Sequence, residues 1–123
     1  MNVLGVECWH PDANEVLNIQ LNHMMLRGQF PRDIENCTRL TGLDVSANEL
    51  TGPLSFDIGD LIPFVSKLDI SGNKFSGEIP KSFVNCNFLN VLKIDQNQLT
   101  GQIPSQISDL DRSKFFNVSN NQL

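Results

Sequence analysis

Apolar and polar residues alternate along short stretches of this chain, and each stretch runs into an Asn and then a Gly. The stretch LDISGNKFSGEIP at 68–80 recurs as LDVSANELTGPLS at 43–55, LKIDQNQLTGQIP at 92–104 and FNVSNNQL at 116–123. A weaker copy, IQLNHMMLRGQFP, occupies 19–31. Asn48, Asn73, Asn97 and Asn121 follow one another in steps of 25, 24 and 24, and Gly28, Gly52, Gly77 and Gly101 in steps of 24, 25 and 24. Two columns held in register mark a chain that repeats one supersecondary unit. Alternation of period two predicts a strand at the start of each copy, near 18–22, 43–46, 67–70, 91–94 and 115–118.

Each position of the unit has a physical task. In the copy at 92–104, Leu89, Leu92 and Ile94 are expected to point inward while Lys93 and Asp95 point outward, because strand side chains alternate. Asn97 turns the chain, and its amide can satisfy backbone groups that a buried bend leaves without partners. Leu99 returns to the core, Gly101 permits a conformation that other residues resist, and Pro104 stops the strand. The SQISDL segment then supplies Ile107 and Leu110 to the outer side in a short 3-10 turn. The template L-x-x-L-x-L-x-x-N-x-L is that of the leucine-rich repeat. The expected fold is an α/β-type, right-handed solenoid with a concave parallel β-sheet and short 3-10 turns on its convex side. Residues 16–123 hold about four and a half coils, and 1–15 read as the remnant of an N-terminal cap.

Leu99-Thr100-Gly101-Gln102-Ile103-Pro104 and Phe75-Ser76-Gly77-Glu78-Ile79-Pro80 resemble the plant-specific class of leucine-rich repeat found in receptor kinases and secreted inhibitors. The resemblance implies a second short strand near each Gly and extra twist in the coil. The chain departs from that class at Ser55, where a Pro is expected, and at Ser113, where a Leu is expected. Gly5-Val6-Glu7-Cys8 resembles the end of the N-terminal cap of such ectodomains without the earlier Cys, so Cys8 reads as half of a lost disulfide.

Composition narrows the function classes. The 123 residues are 40% hydrophobic and 19% charged, ordinary for one globular domain. A net charge of -5 leaves no electrostatic footprint for nucleic acid. No window is long and apolar enough for a membrane span, and no signal peptide is visible at the start. Three cysteines cannot form a closed disulfide framework. Cys37 and Cys86 share one inward repeat position two coils apart, about 10 Å at the usual strand spacing, beyond disulfide reach. Both read as buried thiols that behave as small hydrophobes.

No phosphate loop, nucleophile elbow or zinc-binding helix motif occurs, and Cys8 with His10 is too small a set for a metal site. The expectation is no enzyme, no cofactor and no metal. A solenoid instead offers an extended curved sheet for binding proteins. Its outward columns run Gln20, Asp44, Asp69, Lys93 and Asn117; Asn18, Gly42, Lys67, Val91 and Phe115; and Asn22, Ser46, Ser71, Asp95 and Ser119. Gln20, Asp44, Lys67, Asp69, Lys93, Asp95 and Phe115 are the candidate partner-binding residues. Phe115 is either an interface anchor or a residue that a further coil would cover. Sequons at Asn36 and Asn117 mark candidate glycosylation sites.

Three phrases narrow the resemblance further: GVECWHPDANEVLNIQL, LIPFVSKLDISGN with its extra residue, and CNFLNVLKIDQNQLTGQIP. They resemble the short-ectodomain, inactive receptor-like kinases that bind somatic-embryogenesis-type co-receptor kinases. That resemblance implies a non-catalytic module on the extracellular face of the plasma membrane or in the apoplast. It would regulate immune or brassinosteroid signalling by holding a co-receptor ectodomain. It also implies that the chain is part of a larger ectodomain, whose uncapped ends would favour self-association. The alternatives are a secreted inhibitor of a pathogen enzyme and a remnant without independent function.

Overall fold

The computed structural model describes residues 2–3, 6–7, 17–30, 39–108 and 115–123. A short antiparallel pair, β1 (Asn2–Val3) and β2 (Val6–Glu7), precedes the repeats. Each of the first four coils then contributes one strand to each of two sheets, and the last adds a strand to the first sheet. The first sheet contains β3 (Leu17–Gln20), β5 (Leu40–Asp44), β7 (Lys67–Asp69), β9 (Val91–Lys93) and β11 (Phe115–Asn117). All five are parallel and follow one another in chain order across the sheet. The second contains β4 (Arg27–Gly28), β6 (Glu49–Pro53), β8 (Lys74–Glu78) and β10 (Gln98–Thr100), also parallel. This second sheet is the one that the LTGxIP wording implied. On the convex side, Lys81–Asn85 is the expected 3-10 turn, whereas α1 (Ile58–Leu61) and α2 (Ser105–Ser108) close as single α-helical turns.

The core is a stack of repeat positions. Leu40, Val65 and Leu89 form one tier, Leu43, Leu68 and Leu92 a second, Val45, Ile70 and Ile94 a third, and Leu50, Phe75 and Leu99 a fourth, all buried. Each such side chain contributes about 1.5–3 kcal/mol by leaving water. Phe75, larger than the Leu of its tier, reaches back to Phe30 with ring centroids 6.2 Å apart. Ile58, Phe83 and Ile107 seal the core from the convex side; Ile107 lies on the outer turn as expected, though that turn is α-helical and not 3-10. Cys86 is buried as expected; Cys8, Cys37, Leu110 and Ser113 lie outside the described residues.

Two glycine roles differ. Gly52, Gly77 and Gly101 adopt φ of 85°, 77° and 82°, the left-handed region where a Cβ would be strained. Gly59 has an ordinary φ but lies against the next coil, where an added Cβ would stand 1.8 Å from the Ser82 carbonyl oxygen. Its N–H is held from the same residue, donating to Ser82 Oγ at 2.9 Å.

The Asn column stitches coil to coil. Asn73 Oδ1 accepts the Leu50 N–H of the preceding coil at 3.1 Å. Its amide donates to the carbonyls of Val45 (3.0 Å), Ile70 (3.1 Å) and Ser71 (3.2 Å). Asn97 repeats the set one coil on, accepting from Phe75 and donating to Ile70, Ile94 and Asp95. Asn121 accepts from Leu99 and donates to Ile94, Val118 and Ser119. Asn48 takes both the Met24 and Leu26 N–H groups at 3.0 Å, closing the first coil, whose own residue in the Asn column is Met24.

Two stability outcomes follow from these contacts. Asn97→Ala orphans buried carbonyls and one buried N–H, and is expected to cost on the order of 3 kcal/mol. The exposed neighbour change Gln98→Ala should stay within about 0.5 kcal/mol, both read from urea midpoints at constant slope. Gly59→Ala forces a methyl into the Ser82 backbone, and a loss of about 2 kcal/mol or more is expected in thermal unfolding. An unchanged Tm would mean that the coils separate freely there.

Candidate protein-binding face

The register brings together the columns read from the sequence. Gln20 pairs with Asp44, Asp44 with Asp69, Asp69 with Lys93, and Lys93 with Asn117. Beside them run Asn18, Gly42, Lys67, Val91 and Phe115. Gln20 and Lys67 are exposed, Phe115 is 53% exposed, and Asp44 and Lys93 are half-buried. Gly42 leaves room for the Asn18 side chain, since a Cβ there would stand 2.6 Å from Asn18 Oδ1.

Asp69 and Asp95 correct the expectation of a freely solvated column, because both are only 7% exposed. Two effects cover them. Strands about 4.8 Å apart let side chains of adjacent coils shield one another in the middle of the sheet. The acidic residues of the first column also fold back on their own backbone. Asp44 Oδ1 accepts the Ser46 N–H at 2.9 Å and the Ser46 hydroxyl at 2.6 Å. Asp69 does the same with Ser71, at 3.1 and 2.6 Å. Asn117 accepts the Ser119 N–H at 3.0 Å. Lys93 departs from this device and extends its ammonium to Asp69 Oδ2 at 3.7 Å. Asp44 and Asp69 therefore act as turn-fixing acceptors. Of the two sequons, Asn117 lies at the edge of this face, and Asn36 lies outside the described residues.

An aromatic pair escaped the sequence reading. Phe64 and Phe88, 49% and 57% exposed, occupy the same repeat position three residues before Lys67 and Val91. Their rings lie 5.9 Å apart at 35°. The signal was available as two aromatic residues 24 positions apart, but a pattern that assigns apolar residues to the core gives no reason to look for it outside. A shallow groove beside the second sheet is lined by Leu54, Phe56, Ile79, Ile103 and Pro104 and carries no cluster of reactive groups. Among the described residues, no group of three or more His, Cys, Asp or Glu side chains could hold a metal ion, and no helix is long and apolar enough to cross a membrane.

The Leucine Rich Repeat family pattern matches residues 64–86 and 88–110. The fold also superposes on a chain of the crystallised BIR3–SERK2 complex from Arabidopsis thaliana, with a TM-score of 0.84 and 41% identity, covering 95% of this chain and 62% of that one. The chain is a leucine-rich-repeat solenoid like those of plant receptor-like kinase ectodomains. A leucine-rich repeat receptor-like protein kinase of Arabidopsis thaliana is 52% identical to it over 62 residues. The inactive LRR receptor-like serine/threonine-protein kinase BIR2 of the same plant is 41% identical over 64 residues. The BIR2 ectodomain structure has a TM-score of 0.84 and covers 96% of this chain, which spans 62% of that ectodomain. The aligned segments make up 50% and 52% of this chain but only 10% and 11% of the two full-length kinases.

Among the described residues, the buried Cys86 thiol is structural. Burial, with Asp60 adding to it, pushes the Cys86 thiol up to about 11 from 9.0. The native state thus holds the proton where the unfolded chain releases it, so stability should be flat below pH 9 and fall between pH 9 and 11. Urea midpoints across that range test this, and the Cys86→Ala variant should lack the corresponding part of the slope. In a Cys8→Ser, Cys37→Ser background, native Cys86 should resist alkylation at pH 8 and react once urea unfolds the chain.

Proposed function

We propose that this chain is a non-catalytic protein-binding module that holds the ectodomain of a plant co-receptor kinase on its concave sheet. The observation that carries the reading is the likeness, over almost the whole chain, to a chain of the BIR3–SERK2 complex. The face itself supports it. Exposed Phe115 and half-buried Val91 adjoin the polar column of Gln20, Asp44 and Lys93, an apolar anchor beside a polar surround such as interfaces use. Lys67 and Lys93 would set orientation and encounter rate more than affinity. Acting outside the cell, a module that occupies the co-receptor would keep it from ligand-bound receptors and so lower immune or brassinosteroid signalling. Residues 1–15 would then be the end of a cap, and the repeats from 16 onward the binding unit.

Titration with the SERK2 ectodomain, followed by calorimetry, tests the reading. Wild type should bind saturably. Phe115→Ala should lose roughly 2 kcal/mol, about 30-fold in Kd. Lys67→Glu should mainly slow association and change its salt dependence. Equal binding by all three proteins would place the interface elsewhere, and no binding by wild type would reject the co-receptor reading.

A further inference from the structure

On the concave face, three coils share one local arrangement and a fourth inverts it. Asp44, Asp69 and Asn117 each present Oδ1 to the N–H two residues on, where Ser46, Ser71 and Ser119 stand. In the coil of β9 the acceptor position holds Lys93, and the serine position holds Asp95. The inversion removes the local donor that would serve the carboxylate. Ser71, the adjacent residue of that column, gives its hydroxyl to Asp69 at 2.6 Å. Lys93 is drawn to Asp69 at 3.7 Å. Asp95 is 93% buried, since only 7% is exposed, and its Oδ1 has no hydrogen-bond partner among the described residues.

A buried carboxylate oxygen without a donor weakens a fold, whereas a serine hydroxyl at that position would bring no charge out of water. A residue that breaks the local rule of its own repeat without a compensating contact is the expected mark of a functional site. We propose that Asp95 receives a cationic side chain, a guanidinium or an ammonium, from the protein that docks on the concave sheet. The inference rests on that sheet being a binding face, as proposed above, and adds the chemistry of what it recognises. Ser119 and Gln96 beside Asp95 are exposed, which leaves an approach from the side of β11. A guanidinium suits the site because its parallel N–H groups match the two oxygens of one carboxylate.

Three measurements on the full chain test this. Arginine amide, lysine amide and neutral citrulline amide are titrated into isotope-labelled protein while backbone amide shifts are followed. Saturable shifts centred on Ser71, Gln96 and Ser119 are expected with arginine amide, weaker ones with lysine amide and none with citrulline amide. Asp95→Ser should abolish them and raise Tm by about 4 °C, because it removes a buried carboxylate oxygen that has no donor. A merely structural Asp95 would instead lower Tm on substitution. Shifts that persist in Asp95→Ser, or that centre on Asp60 or Glu78, would overturn the inference, as would a fall in Tm. With the SERK2 ectodomain, Asp95→Ser should weaken binding about tenfold and flatten its salt dependence. If SERK2 fails to bind wild type, the co-receptor reading falls while the arginine amide titration still decides the present one.

Discussion

A chain that turns inside its own core leaves backbone N–H and C=O groups facing apolar side chains, where each unpaired group destabilises the fold. The amide side chains of Asn48, Asn73, Asn97 and Asn121 resolve that conflict. Each accepts from the coil before it and donates to carbonyls of both that coil and its own. Because one side chain must reach both coils at hydrogen-bond distance, the coil length is held to 24 or 25 residues. A residue inserted between two Asn positions has to be absorbed in a loop, as in the coil ending at Asn73, which is one residue longer than the next two. The tiers of Leu, Ile and Val are aligned because the Asn positions are.

That alignment also shapes the surface. Strands in strict register turn sequence positions into columns, and side chains in the middle of the sheet are flanked on both sides while those at its edges are not. Asp69 is covered although Gln20, two strands away in the same column, is exposed. Phe115 on the last strand stays open where Val91 beside it is half-buried. The Asp–Ser arrangement adds a second level of order by tying two of the acidic side chains to the backbone. The accessible part of this face is smaller than the columns suggest: Gln20, Lys67, Phe115 and parts of Asp44 and Lys93.

The solenoid does not by itself name a partner, since one repeat supports many recognition tasks. What singles out this copy is the chemistry placed on the frame. An exposed aromatic pair, Phe64 and Phe88, stands three residues before Lys67 and Val91, members of the column that ends in Phe115. The family likeness to inactive receptor-like kinases fits a surface with features for binding and, among the described residues, no reactive cluster.

The sequence by itself determined the repeat, the concave sheet, the register of the columns and the inward tiers, because each depends on the identity of residues one coil apart. The second sheet was implied by the resemblance of the LTGxIP phrases to the plant-specific repeat. Asn73, Gly77 and Leu68 carry the same instruction as Asn97, Gly101 and Leu92, and redundancy makes that instruction readable. Whether Asp69 and Asp95 meet solvent, whether Phe64 and Phe88 touch, and whether Asp95 finds a donor were decided only by the tertiary structure. Period two assigns a side chain to a face, but exposure on that face depends on the size and rotamer of neighbours 24 residues away. The same limit hid the convex turns, where Lys81–Asn85 closes as 3-10 while Ile58–Leu61 and Ser105–Ser108 close as α. Both closures bury one apolar residue over the core, Phe83 in the 3-10 turn and Ile58 and Ile107 in the α turns.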